Sequence, residues 1–100
     1  MFKRKIIWST PAKIELLEIL EFYIKRNGNA NYSRKFYSKI KRLLDLHRTF
    51  AFIGKKTNLE NVRAIIVDDF MIFYEIDDTK IIVLTIWNSK RNPDEFYLKF

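Results

Sequence analysis

The chain has 100 residues, 48% of them hydrophobic and 16% aromatic, which is enough apolar side chain for one core, so we expect residues 1–100 to form a single domain. It has no cysteine, which excludes disulfides and thiolate metal sites, and its apolar runs are too short for a signal peptide or a membrane span, so we expect a cytoplasmic protein. The net charge is +7, and residues 1–56 carry 14 Lys and Arg against 4 Asp and Glu, a balance of +10 that favours an anionic partner: nucleic acid, the ribosome surface or an acidic protein.

The first predicted elements are a strand over residues 3–8 and a helix that follows it. Thr10 is predicted to cap the helix, and Pro11 suits its first position, where a missing amide proton costs nothing. From there to about residue 26, apolar side chains recur at helical spacing over a wide arc. We therefore expect this helix to contact both a sheet and another helix.

The triplet Asn27, Gly28 and Asn29 predicts a tight connection to a second helix. Gly28 suits a left-handed C-cap and Asn29 suits the next N-cap. The second helix, over roughly 30–48, has one apolar side, which includes His47, and an opposite side rich in Lys and Arg. These features together predict a helical hairpin with a basic outer face.

The second half of the chain is predicted to form strands, which follow a loop over residues 50–58. Three β-rich runs follow, over residues 60–67, 70–76 and 80–87. Asp-rich turns separate them, which indicates an antiparallel meander. The predicted fold class is α+β with the order βααβββ, in which the helical hairpin packs on one face of a four-stranded, mainly antiparallel sheet.

The predicted strands are apolar on both faces, whereas one helical hairpin can cover only one face. Antiparallel sheets that meet water on one side normally alternate apolar and polar residues. A contiguous apolar face with Lys and Arg around it is interpreted as a docking surface for a partner. Burial under the chain's own tail or in a homodimer is the alternative.

The sequence offers few groups for catalysis. His47 is its sole histidine, and the chain contains no phosphate-binding loop, dinucleotide fingerprint or zinc spacing, so we expect no metal and no cofactor. The remaining candidates are basic residues and one tyrosine near the predicted sheet: Lys55, Lys56, Arg63, Arg91 and Tyr97. Such groups can support metal-free RNA cleavage, in which the 2′-hydroxyl attacks the adjacent phosphate and cations stabilise the phosphorane. Ordinary surface cations are the alternative interpretation of each residue singly.

Several motifs, spread along nearly the whole chain, match one known family in their order and spacing. They are Ile7-Trp8-Ser9-Thr10-Pro11-Ala12, Val62-Arg63-Ala64-Ile65, Phe70-Met71-Ile72-Phe73-Tyr74-Glu75-Ile76 and Lys90-Arg91-Asn92-Pro93. With the order βααβββ, they resemble the RelE/ParE toxin superfamily of bacterial type II toxin–antitoxin systems. The resemblance implies a toxin that arrests growth and a cognate antitoxin that wraps it and blocks its site. Antitoxins of this kind are often acidic and partly disordered until they bind.

The resemblance leaves two targets open. RelE-like members cut mRNA in the ribosomal A site, whereas ParE-like members inhibit DNA gyrase and lack the nuclease residues. Met71 stands where the nucleases have an arginine, which favours gyrase, but Arg91 and Tyr97 keep the spacing of the nuclease's Arg and terminal Tyr. We rank mRNA endoribonuclease activity first and gyrase inhibition second. A noncatalytic module that binds only nucleic acid or its antitoxin is the third hypothesis.

The resemblance also assigns roles to the candidate residues. It implies that Arg91 clamps the phosphate and that Tyr97 stacks on a base or transfers a proton. Arg63, Lys55 and Lys56 are expected to act as supporting cations. The expected partners are the antitoxin and either the ribosome with mRNA or DNA gyrase.

Overall fold

The computed structural model describes residues 2–89 and confirms the α+β class, with one strand more than predicted. The helical elements are α1 (Thr10–Asn27), α2 (Asn31–Thr49) and a 3₁₀ turn (Ala51–Ile53). The strands are β1 (Lys5–Trp8), β2 (Lys55–Lys56), β3 (Val62–Val67), β4 (Phe70–Ile76) and β5 (Lys80–Asn88). The helical hairpin lies on one face of the sheet that these strands form.

The sheet has the order β1-β5-β4-β3-β2, and only the pairing of β1 with β5 is parallel. The predicted count of four strands was wrong because β2 lies inside the segment that we expected to be a loop. A two-residue strand has no periodicity of its own. It forms because Lys55 and Lys56 pair with Ala64 and Arg63 on β3.

The main core lies between the hairpin and the sheet. The predicted apolar side of α2 supplies Phe36, Ile40 and Leu44, each no more than 2% exposed. Their partners on the sheet are Ile65, Val67, Phe70, Ile72, Tyr74, Ile76, Ile81, Val83 and Ile86. The Phe36 and Phe70 rings lie 5.3 Å apart, within the range of a favourable aromatic pair. Burial of these side chains fixes α2 across the sheet and so places the loop that follows it.

The end of α1 at Gly28 is as predicted, whereas the N-caps of the two helices are not: the N-cap of α2 is Ala30 and not Asn29. Gly28 has a φ of 72° and ends α1 in the left-handed conformation, and the Asn29 Oδ1 accepts the Asn31 N–H at 3.0 Å. The N-cap of α1 is Ser9, not Thr10: the Ser9 Oγ accepts the Ala12 N–H at 3.2 Å. Ser9 is placed there because its hydroxyl also donates to the Leu84 carbonyl of β5 at 2.9 Å, which only the folded sheet provides.

A Ser9→Ala variant is expected to lose about 1 kcal/mol of unfolding free energy, because one side chain both caps α1 and ties it to β5. Thr10→Ala is the matched control, since the exposed Thr10 side chain does not form this cap. Urea unfolding monitored by tryptophan fluorescence would measure both. A larger loss in Thr10→Ala than in Ser9→Ala would contradict the assignment of the cap.

Beyond the last residue of β1, a side chain from α1 accepts the hydrogen bond that a neighbouring strand would accept from β5. The Glu15 carboxylate accepts the Ile86 N–H at 3.1 Å and the Thr85 hydroxyl at 2.8 Å. An unpaired strand edge exposes backbone donors that another chain can bind. Glu15 therefore covers part of this edge and joins α1 to the far half of β5.

The turn between β3 and β4 is held against α2. Asp68 adopts a left-handed φ of 53°, and its carboxylate accepts hydrogen bonds from Lys39 Nζ at 2.9 Å and from the Tyr32 hydroxyl at 3.2 Å. Partial burial, followed by the charge of Asp68, raises the pKa of Tyr32 to about 12. These contacts tie the start of α2 to one end of the sheet.

Candidate functional site

The predicted cations of the described chain lie at the edge where β2 pairs with β3. Lys56 is opposite Arg63, and Lys55 is opposite Ala64. Paired residues in a ladder share a face of the sheet, and successive residues alternate between faces. Lys56 and Arg63 therefore lie on the face that carries the helices, and Lys55 lies on the other face. The three cations do not converge on one point.

Arg63 is engaged with the loop that precedes β2. Its Nη1 donates to the Phe52 carbonyl at 2.9 Å and to the Gly54 carbonyl at 3.2 Å. The guanidinium carbon also lies 5.4 Å from the centre of the Phe52 ring, within the range of a cation–π contact. Arg63 thus holds the connection between α2 and β2 in place, a role that its position in the sequence did not indicate.

Tyr74 holds the same connection between α2 and β2 from the side of the core. Its side chain is fully buried and its hydroxyl donates to the Ala51 carbonyl at 2.6 Å. Burial raises the pKa of Tyr74 to about 12, against smaller lowering effects of a hydrogen bond from Gly54 and the charge of Arg63. The phenol is therefore neutral near pH 7 and cannot serve there as a general base.

His47 has a packing role, as the sequence indicated. It is 7% exposed, its ring meets Tyr74 edge to face with the centres 5.6 Å apart, and its Nδ1 lies 2.6 Å from the Leu43 carbonyl. That distance requires a proton on Nδ1, because a carbonyl oxygen can only accept. The one histidine of the chain thus supports Tyr74 and the loop above it.

The cavity next to Lys56 and Arg63 is small. Its volume is about 230 Å³, and its other lining residues are Thr57, Leu59 and Glu60. Pockets that enclose small ligands usually measure about 300–1,000 Å³. This edge of the sheet therefore suits contact with a macromolecule better than enclosure of a nucleotide.

The apolar face of the sheet opposite the helices is largely buried, so the predicted open docking surface was wrong for its centre. Val62, Ala64 and Phe73 are 2–3% exposed and form a second cluster that includes Met71 and Trp87 among its flanking side chains. Ile66, at 60% exposed, is the large apolar side chain of this face that stays open to solvent within residues 2–89. Burial on both sides explains why these strands do not alternate apolar and polar residues.

The other predicted site residues, Arg91 and Tyr97, lie outside the described residues. Met71, which occupies the place of a nuclease arginine in the resemblance, lies on β4 opposite Trp87 of β5. Its side chain belongs to the second apolar cluster. The strand position therefore supplies packing and no positive charge.

The residues that the sequence did not single out are exposed aromatic side chains around the 3₁₀ turn. Phe52 is 56% exposed, and two guanidinium groups lie over its ring: the guanidinium carbon of Arg4 is 6.0 Å from the ring centre and that of Arg63 is 5.4 Å from it. The sequence signal was available: Phe50, Phe52 and Ile53 crowd a segment predicted to be a loop. Large apolar residues in an exposed loop are a stronger indication of binding than the same residues in a core.

The described chain has neither a metal cluster nor a membrane span. Among residues 2–89, no group of three or more His, Asp or Glu side chains is placed to hold a metal ion. Neither α1 nor α2 has the length and apolar character that crossing a membrane requires.

Comparisons with known proteins agree on one class. Residues 6–93 match the family model of the ParE toxin of the type II toxin–antitoxin system parDE. A solved structure of the chromosomal ParDE toxin–antitoxin system from P. aeruginosa is similar in fold, with a TM-score of 0.73 and 16% sequence identity. The similarity covers 88% of this chain and 98% of that one. A search of curated proteins finds no match.

Proposed function

Because this chain belongs to the ParE family of toxins from type II toxin–antitoxin systems, we propose that it arrests growth by inhibiting DNA gyrase and does not cut RNA. Its partners are then gyrase and a cognate antitoxin, and we expect both encounters in the cytoplasm. This proposal reverses the order in which the sequence ranked the two mechanisms. The observation that carries it is the engagement of Arg63 with two carbonyl groups.

RNA cleavage without a metal needs several cations around one phosphate, together with a base and an acid. In the described chain, Arg63 Nη1 is bound to the loop, and Lys55 lies on the opposite face of the sheet from Lys56. Met71 adds no charge, and the pKa of Tyr74 near 12 keeps its phenol neutral. A missing catalytic donor typically costs about 3 kcal/mol of transition-state stabilisation, so these arrangements favour binding over catalysis.

RNA cleavage remains the second candidate because of two residues outside the described chain. Arg91 and Tyr97 keep the spacing that the nucleases of the superfamily use for a phosphate clamp and a terminal tyrosine. In that case the partners are the ribosome and mRNA, and Lys55, Lys56 and Arg63 are supporting cations. Arg91 is the residue whose replacement separates the two candidates.

Two assays on the purified protein test the proposal. We expect it to block supercoiling of a relaxed plasmid by gyrase and to leave mRNA intact in a translating extract, where primer extension detects A-site cuts. Cuts that vanish in Arg91→Ala, with supercoiling unaffected, would replace the proposal with the nuclease mechanism. No effect in either assay, and none on growth after induction, would leave only the noncatalytic binding module.

A further inference from the structure

Four exposed apolar side chains belong to two segments that lie side by side where β1 begins and α2 ends. They are Phe2, Phe50, Phe52 and Ile53, which are 46–60% exposed, and we name them the aromatic corner. Arg4 joins their two segments, because its guanidinium carbon lies 5.7 Å from the Phe2 ring centre and 6.0 Å from the Phe52 ring centre. Exposed apolar groups gathered in this way mark an interaction site.

Hydrogen bonds hold the aromatic corner in place before any partner arrives. The Arg4 N–H donates to the Arg48 carbonyl at 2.9 Å, and Arg48 Nε donates to the Arg4 carbonyl at 2.8 Å. On the other side, Arg63 binds the carbonyls of Phe52 and Gly54. A preformed surface loses little conformational entropy on binding, so its apolar contacts contribute more fully to affinity.

The charge around the aromatic corner favours an acidic partner. Arg4 and Arg63 flank Phe52, and the exposed Lys55 and Lys56 follow directly on β2. All four residues of the aromatic corner belong to the basic half of the chain, residues 1–56, which holds 14 Lys and Arg against 4 Asp and Glu. A second copy of this chain would bring like charges together, which opposes association.

The apolar side chains of the corner favour an acidic peptide over nucleic acid. Arg4 Nε donates to the Asp77 carbonyl at 2.9 Å, Arg48 Nε to the Arg4 carbonyl, and Arg63 Nη1 to two carbonyls, so one nitrogen of each guanidinium is engaged and the others stay available to an anion. That anion can be a carboxylate or a phosphate, but nucleic acids bind exposed side chains by stacking bases on aromatic rings, and an aliphatic side chain such as Ile53 offers no ring. What the corner presents is apolar surface within a positive field. Such a surface suits apolar side chains with carboxylates around them.

We propose that the aromatic corner is a docking site for an acidic segment of the antitoxin, whose apolar side chains rest on Phe2, Phe52 and Ile53. This inference depends on the proposed function, since it takes the chain to be a toxin with an antitoxin. The carboxylates of the segment interact with the cations around the corner. The aromatic corner then contributes to neutralisation of the toxin by the antitoxin, and not to binding of the toxin's target.

The direct test is the affinity of the purified toxin for the protein encoded by the neighbouring reading frame, measured by calorimetry. We expect Phe52→Ala and Ile53→Ser each to weaken binding at least about tenfold, as for central interface residues. Phe22→Ala is the matched control, because Phe22 is 53% exposed but lies on α1, and its affinity should stay within about twofold of the parent. Unchanged affinity in both corner variants would overturn the proposal, as would loss of single-stranded oligonucleotide binding in Phe52→Ala with antitoxin binding intact.

A growth assay separates failure of this inference from failure of the proposed function. If the parent protein does not arrest growth, the proposed function fails, whatever the calorimetry shows. If the parent arrests growth and the antitoxin rescues it, Phe52→Ala should still arrest growth but be rescued poorly. A folded Phe52→Ala protein that no longer arrests growth would overturn the inference by assigning the corner to the target.

Discussion

A Gly54→Ala variant is expected to lose about 3 kcal/mol of unfolding free energy, in the range of overpacked cores. The backbone of Gly54 has φ −65° and ψ 160°, which any residue can adopt, so the cost is steric. An added Cβ would lie 2.8 Å from Arg63 Cβ and 3.0 Å from Tyr74 Cε1, and would collide with the Tyr74 hydroxyl. Urea unfolding monitored by tryptophan fluorescence measures the loss.

A double-mutant cycle tests this steric explanation. Tyr74→Phe removes the oxygen that an alanine Cβ would meet, so Gly54→Ala should cost about 1 kcal/mol less in that background. The Arg63 contact remains, so the relief is partial. Gly28→Ala is the control: with a φ of 72° and nothing within 4 Å of its added Cβ, it should cost about 1 kcal/mol in either background. Additive costs for Gly54→Ala and Tyr74→Phe would exclude the collision.

The predicted elements that proved correct depend on local signals. Gly28 ends α1 because a left-handed residue is needed there, and the apolar period of α2 places Phe36, Ile40 and Leu44 in the core. The errors arose where distant groups decide. Ser9 replaces Thr10 as the cap because β5 offers a carbonyl to Ser9, and β2 exists because β3 offers it a partner.

The candidate site was harder to predict than the fold. The sequence identified Arg63, Lys55 and Lys56 as cations, but not the acceptors that Arg63 finds in the loop or the opposite faces of the two lysines. Both facts follow from the two-residue pairing of β2, which leaves no pattern in the sequence. The roles of Arg91 and Tyr97 stay predictions, since these residues lie outside the described chain. Where a cation's hydrogen bonds go is a property of tertiary structure, and no pattern in the sequence shows it.

The second large effect is expected at alkaline pH, where Tyr74 limits stability. Burial raises its pKa from 10.0 to about 12. Below pH 10 the phenol is neutral in both the folded and the unfolded chain, and its contribution to stability is fully present. Between pH 10 and 12 the unfolded chain releases this proton and the folded chain does not, so stability falls as pH rises. A shift of this size corresponds to about 3 kcal/mol in full, of which about 2 kcal/mol is lost by pH 12.

Urea unfolding of the parent and of Tyr74→Phe, at steps from pH 8 to pH 12, measures this contribution. At pH 8 the variant should be about 1–2 kcal/mol less stable, because the Ala51 carbonyl loses its hydrogen bond. Above pH 10 its stability should fall less steeply, so the two curves converge. Tyr32→Phe controls for the other tyrosine whose pKa is raised, and loss of lysine charge affects all three proteins alike. Parallel curves for the parent and Tyr74→Phe would mean that Tyr74 ionises as readily in the folded chain as in the unfolded one, and that the loop above it opens to solvent at high pH.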